Sequence, residues 1–242
     1  MRFTYSDYEK MLKLLLDNGY TVADYNTHSK FDKCAILRHD IDYDLEKALP
    51  FAKLEKECGV KSTYFVLVTS DFYNVFSSSS QSALNSISDL GHNIGLHFDE
   101  VRYPDLFGKP ERLKEKILIE SELLSKATGL AVESVSMHRP SKQILEANIS
   151  IPGIVNSYSD EFFKNFKYLS DSRRNWREPI EEIIKSQKYA RLHILTHAFW
   201  YNETEKTLKQ SLLGFISNAS EDRKRSLADN FTDLSVALRS DA

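Results

Sequence analysis

Short apolar runs alternate along this chain with longer segments whose apolar residues recur every three or four positions. The short runs, at 35–38, 62–68, 93–97, 132–138, 153–156, 167–169 and 191–196, have the length and β-prone composition of strands. The longer segments read as amphipathic helices. Ser6 and Glu9 sign a capping box for the first of them; Tyr8, Met11, Leu12 and Leu15 share its buried face, and Gly19 closes it. Another spans 45–58, apolar at Leu45, Ala48, Leu49 and Ala52, and a third runs from Pro110 to Thr128 with Gly129 behind it. The serine-rich stretch 77–80, with Ser82, reads as a loop.

Strands that recur every few dozen residues with helices between them predict parallel crossovers and an α/β sheet, either doubly wound or closed as a (β/α) barrel. In both forms catalytic groups gather at the C-terminal ends of the strands. The polar residues fit that rule. Arg38-His39-Asp40-Ile41-Asp42, His97-Phe98-Asp99-Glu100, His138-Arg139, Asp171 and Thr196-His197 each follow directly on one of the short runs.

Beyond the last run, 203–238 predicts one or two helices, with Leu208, Leu212, Phe215 and Ile216 in one stripe and Leu227, Phe231, Leu234 and Leu238 in another. The polar segment 218–225 between them predicts a turn. Such helices either cover the sheet, which is the default, or pair two copies as a homodimer. The whole of 1–242 is expected to form a single domain, with its motif-bearing core at about 35–200 and the helical extension at about 203–240.

The charge excludes some partners. With 32 Lys and Arg against 35 Asp and Glu, the 242 residues carry a formal charge of −3, which gives no global attraction to nucleic acid or to an anionic membrane. No apolar stretch is long enough to span a bilayer, and the N-terminus lacks the apolar core of a secretory signal. The two cysteines, Cys34 and Cys58, are predicted to be free thiols in a reducing compartment. The expected location is the cytoplasm.

Asp40 and Asp42 stand two apart at the end of a strand, so the period of two sends both carboxylates to one side. Rival Asp-x-Asp chemistries fail elsewhere: an EF-hand would need Gly at Leu45 and Glu at Phe51, and a phosphoaspartyl phosphatase would want Thr at Asp44. A lone histidine at a strand end is usually structural. His97, His138 and His197 at the same end of one sheet, beside carboxylates, compose a zinc-type donor set with room for water.

These residues resemble, in order and over most of the chain, the motifs of the NodB-homology polysaccharide deacetylases, carbohydrate esterase family four. Leu37-Arg38-His39-Asp40-Ile41-Asp42 resembles the first motif, Ser62-Thr63-Tyr64-Phe65-Val66 an Ala-Thr-Phe-Phe-Val strand, and Gly91-His92-Asn93-Ile94-Gly95-Leu96-His97 the second motif. Met137-His138-Arg139-Pro140 resembles the third, Asp171 with Trp176 the fourth, and Leu195-Thr196-His197 the fifth. The departures are an Asp-Ile-Asp in place of Asp-Asp, and Val101 where the family's second ligand histidine stands.

The resemblance implies a distorted (β/α)7-type barrel and a metal-dependent hydrolase, zinc foremost, that removes an N-acyl group from an amino sugar. Asp40 is then the catalytic base, oriented by Arg139, and His197 the general acid, tuned by Asp171. Asp42 and His97 bind the metal with a third ligand, His138 in preference to Asp99. Tyr64, Trp176 and Trp200 are candidates to touch the sugar, with core packing the alternative for both tryptophans. A cytoplasmic setting shifts the substrate toward a nucleotide- or lipid-linked acylamino sugar of surface-polysaccharide biosynthesis. The other class of function is an inactive barrel that only binds sugar or acts as a scaffold.

Overall fold

The structure is a computed structural model that describes residues 1–238; the expected end of the helical extension, 239–242, lies outside the described residues. Eight strands form one sheet: β1 (Thr21–Ala23), β2 (Cys34–Ile41), β3 (Thr63–Leu67), β4 (Asn93–Asp99), β5 (Ser134–His138), β6 (Val155–Asn156), β7 (Lys167–Ser170) and β8 (Arg191–Thr196). The helices are α1 (Tyr5–Asp17), α2 (Ala48–Glu57), α3 (Ser78–Asp89), α4 (Pro110–Thr128), α5 (Lys142–Ala147), α6 (Asp160–Lys164), α7 (Ile180–Ser186), α8 (Leu208–Ala228) and α9 (Leu234–Ala237).

Strands neighbour one another in the order β6-β5-β4-β3-β2-β8-β7, and these pairings are all parallel. β1 pairs with the start of β2 on the edge that β3 occupies further along. Among the described residues β6 and β7 do not pair, so the sheet is a curled, open form of the (β/α)7 barrel. The chain divides into two compact units, Met1–Glu203 and Thr204–Ala242, and the sheet lies wholly in the first.

Alternation along the strands builds two cores. On β2, Cys34 and Ile36 face inward with Phe65, Phe162 and Phe166. On the other face, Ile41, Tyr64, Val66, Leu96, Phe98, Val135 and Met137 pack with Leu84, Ile117 and Leu124 of the outer helices. Register then carries the inward set from strand to strand: Phe65 pairs with Gly95, His97 with Ser136, and Asp99 with His138. Gly95 is required by space, because a Cβ there would meet the Phe65 ring at 2.5 Å and Ser134 Oγ at 2.7 Å. A buried carboxylate fastens the outer layer. Glu55 on α2 accepts from Tyr8 and Tyr64 hydroxyls at 2.7 and 2.6 Å and from Ser62 at 2.6 Å, and its Oε1 is 2.9 Å from His39 Nε2.

Three local expectations are corrected. The first helix is capped by Thr4, whose hydroxyl accepts from Asp7 N–H, so its cap stands two residues before the predicted Ser6. The serine-rich stretch is the start of α3, with Ser77 as its N-cap accepting from Ser80 N–H; serine caps helices well even though it resembles loop sequence. No turn interrupts 218–225, which lies within α8. That segment has no Gly or Pro to break it, and Glu221–Lys224 and Asp222–Arg225 pair along one face.

Candidate active site

The inward positions of β2, β4, β5 and β8 end in one cleft of about 930 Å³ at the C-terminal edge of the sheet. Asp40, Asp42, His97, His138 and His197 all line it. Period-two alternation puts Arg38, Asp40 and Asp42 on the same side of β2 and its extension, and brings His97, Asp99 and His138 to that side from β4 and β5.

Asp40 is held by an arginine, but not the expected one. Arg38 Nη2 donates to Asp40 Oδ2 at 2.7 Å, while Arg139 pairs with Asp99. The Arg38 side chain is fully buried; it also donates to Ser157 Oγ at 2.8 Å and Ser136 Oγ at 2.7 Å, and lies over the Tyr158 ring at 4.9 Å. Burial alone would raise the Asp40 pKa, yet the charge of Arg38, with His97 and His197 behind it, holds it below the usual carboxylate value. Arg139 emerges at a left-handed φ of 49° after β5, and that turn carries its half-exposed side chain toward Asp99. The sequence did contain the signal for Arg38: it stands two residues before Asp40, so a strand must put both on one face.

Asp42, His97 and His138 converge. His97 Nε2 is 3.3 Å and His138 Nδ1 3.4 Å from Asp42 Oδ1, and the two ring nitrogens are 3.2 Å apart. Asp42 Oδ1 is buried and makes no hydrogen bond in spite of these neighbours. An orphaned carboxylate oxygen facing two imidazole nitrogens fits a cation site, and one carboxylate with two imidazoles fits zinc chemistry. The spacing fits too: tetrahedral ligands at about 2.0–2.1 Å from zinc lie roughly 3.3 Å apart. The His97 Nδ1–H faces the Ser136 carbonyl at 3.4 Å, which leaves Nε2 to face the cluster. Asp99 is engaged instead by Arg139 and by the Val101 N–H at 3.3 Å.

His197 completes the cleft. Asp171, fully buried, accepts from the His197 backbone N–H at 3.1 Å and lies 2.6 Å from ring Nδ1, so Nε2 faces the cleft 3.7 Å from Asp42 Oδ2. Burial by itself would lower the imidazole pKa, but the Asp171 carboxylate, followed by Asp42 and Asp40, raises it to about 9. Trp176 and Trp200 both line the cleft, Trp200 packed against Phe199 at 4.8 Å. Tyr64 does not reach it. Its parity on β3 points it outward, where it is fully buried with its hydroxyl on Glu55.

The arrangement brings together a buried ionised carboxylate, three donors spaced so that they could hold a cation, and a protonated imidazole. Together they can accept a proton, bind a Lewis acid and donate a proton within a few ångströms.

No protein-family model and no curated protein matches the sequence. Solved structures do resemble it. A CE4 esterase from Streptococcus mutans superposes with a TM-score of 0.51 at 13% identity, over 85% of this chain and 90% of its own. A family 4 carbohydrate esterase from Bacillus anthracis is 21% identical over 87% of this chain and 84% of its own, at a TM-score of 0.46. A CE4 family pseudoenzyme from the same organism is 12% identical over 78% and 61%, at 0.42. The chain has the fold of the Streptococcus mutans CE4 esterase. Among the described residues no helix is long and apolar enough to cross a membrane.

Proposed function

We propose that this chain is a divergent family four carbohydrate esterase, a metal-dependent hydrolase that removes an N-acyl group from an amino sugar. The observation that carries this reading is the convergence of Asp42, His97 and His138 between the Arg38–Asp40 pair and the Asp171–His197 pair in one cleft. A divalent ion held by those three donors, zinc being the first candidate, supplies Lewis acidity to the amide carbonyl and to the attacking water. Asp40, kept ionised by Arg38, accepts the proton that the water loses as its oxygen bonds to the carbonyl carbon. His197 donates its Nε2 proton to the amide nitrogen as the C–N bond breaks, leaving a free amine and a carboxylic acid that ionises by giving its proton to solvent. Trp176 and Trp200 offer faces for the sugar ring.

His138 takes the place that Val101 leaves vacant relative to the family's second motif, which favours a working site over an inactive sugar-binding barrel. A cytoplasmic step in surface-polysaccharide biosynthesis is the setting this reading implies, with the acylamino sugar carried on a nucleotide or a lipid.

The test is amine release from N-acetylated amino sugars by zinc-loaded protein. Asp40→Asn and His197→Ala should each lower kcat by roughly 10²–10⁴-fold while retaining bound metal. Full activity in both variants, on a substrate the unmodified protein turns over, would overturn the reading.

A further inference from the structure

We propose that the substrate carries a phosphoryl group, gripped by Arg173 and Arg177 on the loop that follows β7; this inference rests on the deacylase reading above. The loop turns sharply after Ser170 and supplies Arg173, Trp176 and Arg177 to the wall of the cleft. Arg173 and Arg174 both adopt left-handed backbone, with φ of 58° and 55°. Non-glycine residues adopt that conformation at a cost, and such strain collects at ligand-binding loops. The two side chains go separate ways: Arg174 lies over the Phe3 ring at 4.8 Å, and Arg173 lines the cleft.

Charge pairing then singles out two of the cleft's arginines. Arg102 is paired with Asp71, and Arg139 with Asp99. Glu178, the acid next to Arg177, has both oxygens at 2.7 Å from Lys167 Nζ, and Asp171 is held by His197. Among the described residues no carboxylate lies within ion-pair reach of Arg173 or Arg177, and both side chains are exposed. Two guanidiniums without an ion-pair partner, both lining the one cleft, suit a ligand with two negative charges, which a phosphoryl group bears and a single carboxylate does not. The cleft, about 930 Å³, is also at the upper end of the roughly 300–1,000 Å³ range of small-ligand pockets, so it has room for more than an acetamido sugar.

The experiment compares binding of N-acetylglucosamine 1-phosphate and methyl N-acetylglucosaminide by calorimetry, in the unmodified protein and in Arg173→Ala/Arg177→Ala. The phosphate should bind at least about tenfold more tightly, with the advantage shrinking as salt rises. The double variant should lose that advantage without a change in Tm, and Arg173→Lys/Arg177→Lys should keep part of it. Separate arms with uridine diphosphate N-acetylglucosamine, and with a short polyprenyl diphosphate N-acetylglucosamine in detergent, tell a nucleotide-borne phosphate from a lipid-borne one. Equal affinity for the two simple sugars, no binding of either, or a preference that survives the double variant overturns the inference. Amine release scored on the same compounds separates the two readings. Release without phosphate preference condemns this inference alone, and phosphate preference without release condemns the deacylase.

Discussion

Arg38 and Asp40, two residues apart on β2, form a buried ion pair at 2.7 Å on the inward face of the sheet. The carboxylate proposed as the base and the group that fixes its charge therefore come from one strand, and no neighbouring loop has to deliver the arginine. Serine hydroxyls from β5 and the segment after β6 accept from the two terminal nitrogens of the guanidinium, at 2.7 and 2.8 Å, and so tie the pair to the strands across the curled sheet, while Nε is buried without a partner.

Arg38→Met should be costly in both stability and turnover. Removing one partner of a buried pair strands the other, at about 3–5 kcal/mol, and Asp40 would then be driven toward its neutral form. Arg139→Ala, which removes a half-exposed partner of Asp99, should lower Tm much less. Thermal melts and kcat for the two variants check this. A larger loss of kcat in Arg139→Ala would return the orienting role to Arg139.

Metal content should follow the donor cluster and not the family's motif position. Asp42→Ala, His97→Ala and His138→Ala should each lower bound zinc by at least about tenfold, whereas Asp99→Asn should retain it. Elemental analysis after dialysis against a weak chelator measures the difference. Full zinc content in His138→Ala, with loss in Asp99→Asn, would exchange the third ligand.

Tyr64→Phe should act on stability alone. The change removes one of the donors to buried Glu55, which is expected to lower stability by roughly 1–3 kcal/mol. KM for any sugar substrate should stay where it is, because the ring faces the outer helices. A raised KM at unchanged Tm would place Tyr64 against the substrate after all.

Stability should fall on acidification through His193. This buried ring faces the Tyr25 hydroxyl at 2.8 Å with Nε2 and the Phe162 carbonyl at 3.3 Å with Nδ1. Burial, with the Arg38 charge behind it, lowers its pKa from 6.5 to about 3. Between those values the unfolded chain holds a proton that the native state refuses, so stability is present above pH 6.5 and is lost as pH falls, by at most about 1.4 kcal/mol per pH unit. Glu55 adds the same sign lower down: burial would raise its pKa, but His39 and its other partners bring it from 4.5 to about 2. In His193→Gln, Tm should vary less steeply between pH 7 and pH 5 than in the unmodified protein. An identical slope would mean that His193 titrates alike in both states.

The parallel α/β class, strand β8 and helix α4 to the residue, and the gathering of acids and histidines at one end of the sheet are all legible in the chain before it folds. Those features are written in local periodicity, in Pro110 and Gly129 as helix punctuation, and in the two-residue repeat that puts Asp40 and Asp42 on one face. Tertiary structure decided which partner each group takes. Arg139 and Arg38 are equally basic in sequence, but the left-handed turn after β5 sends one to Asp99, and the inward parity of β2 fixes the other on Asp40. His138 meets His97 because the register of β4 and β5 pairs Asp99 with His138, a long-range alignment that no local pattern encodes. Tyr64 shows the converse: its motif resembles a family strand, while its parity relative to Phe65 points it at Glu55. Periodicity fixes which side of its own element a residue occupies, and only the pairing of distant strands fixes what stands opposite.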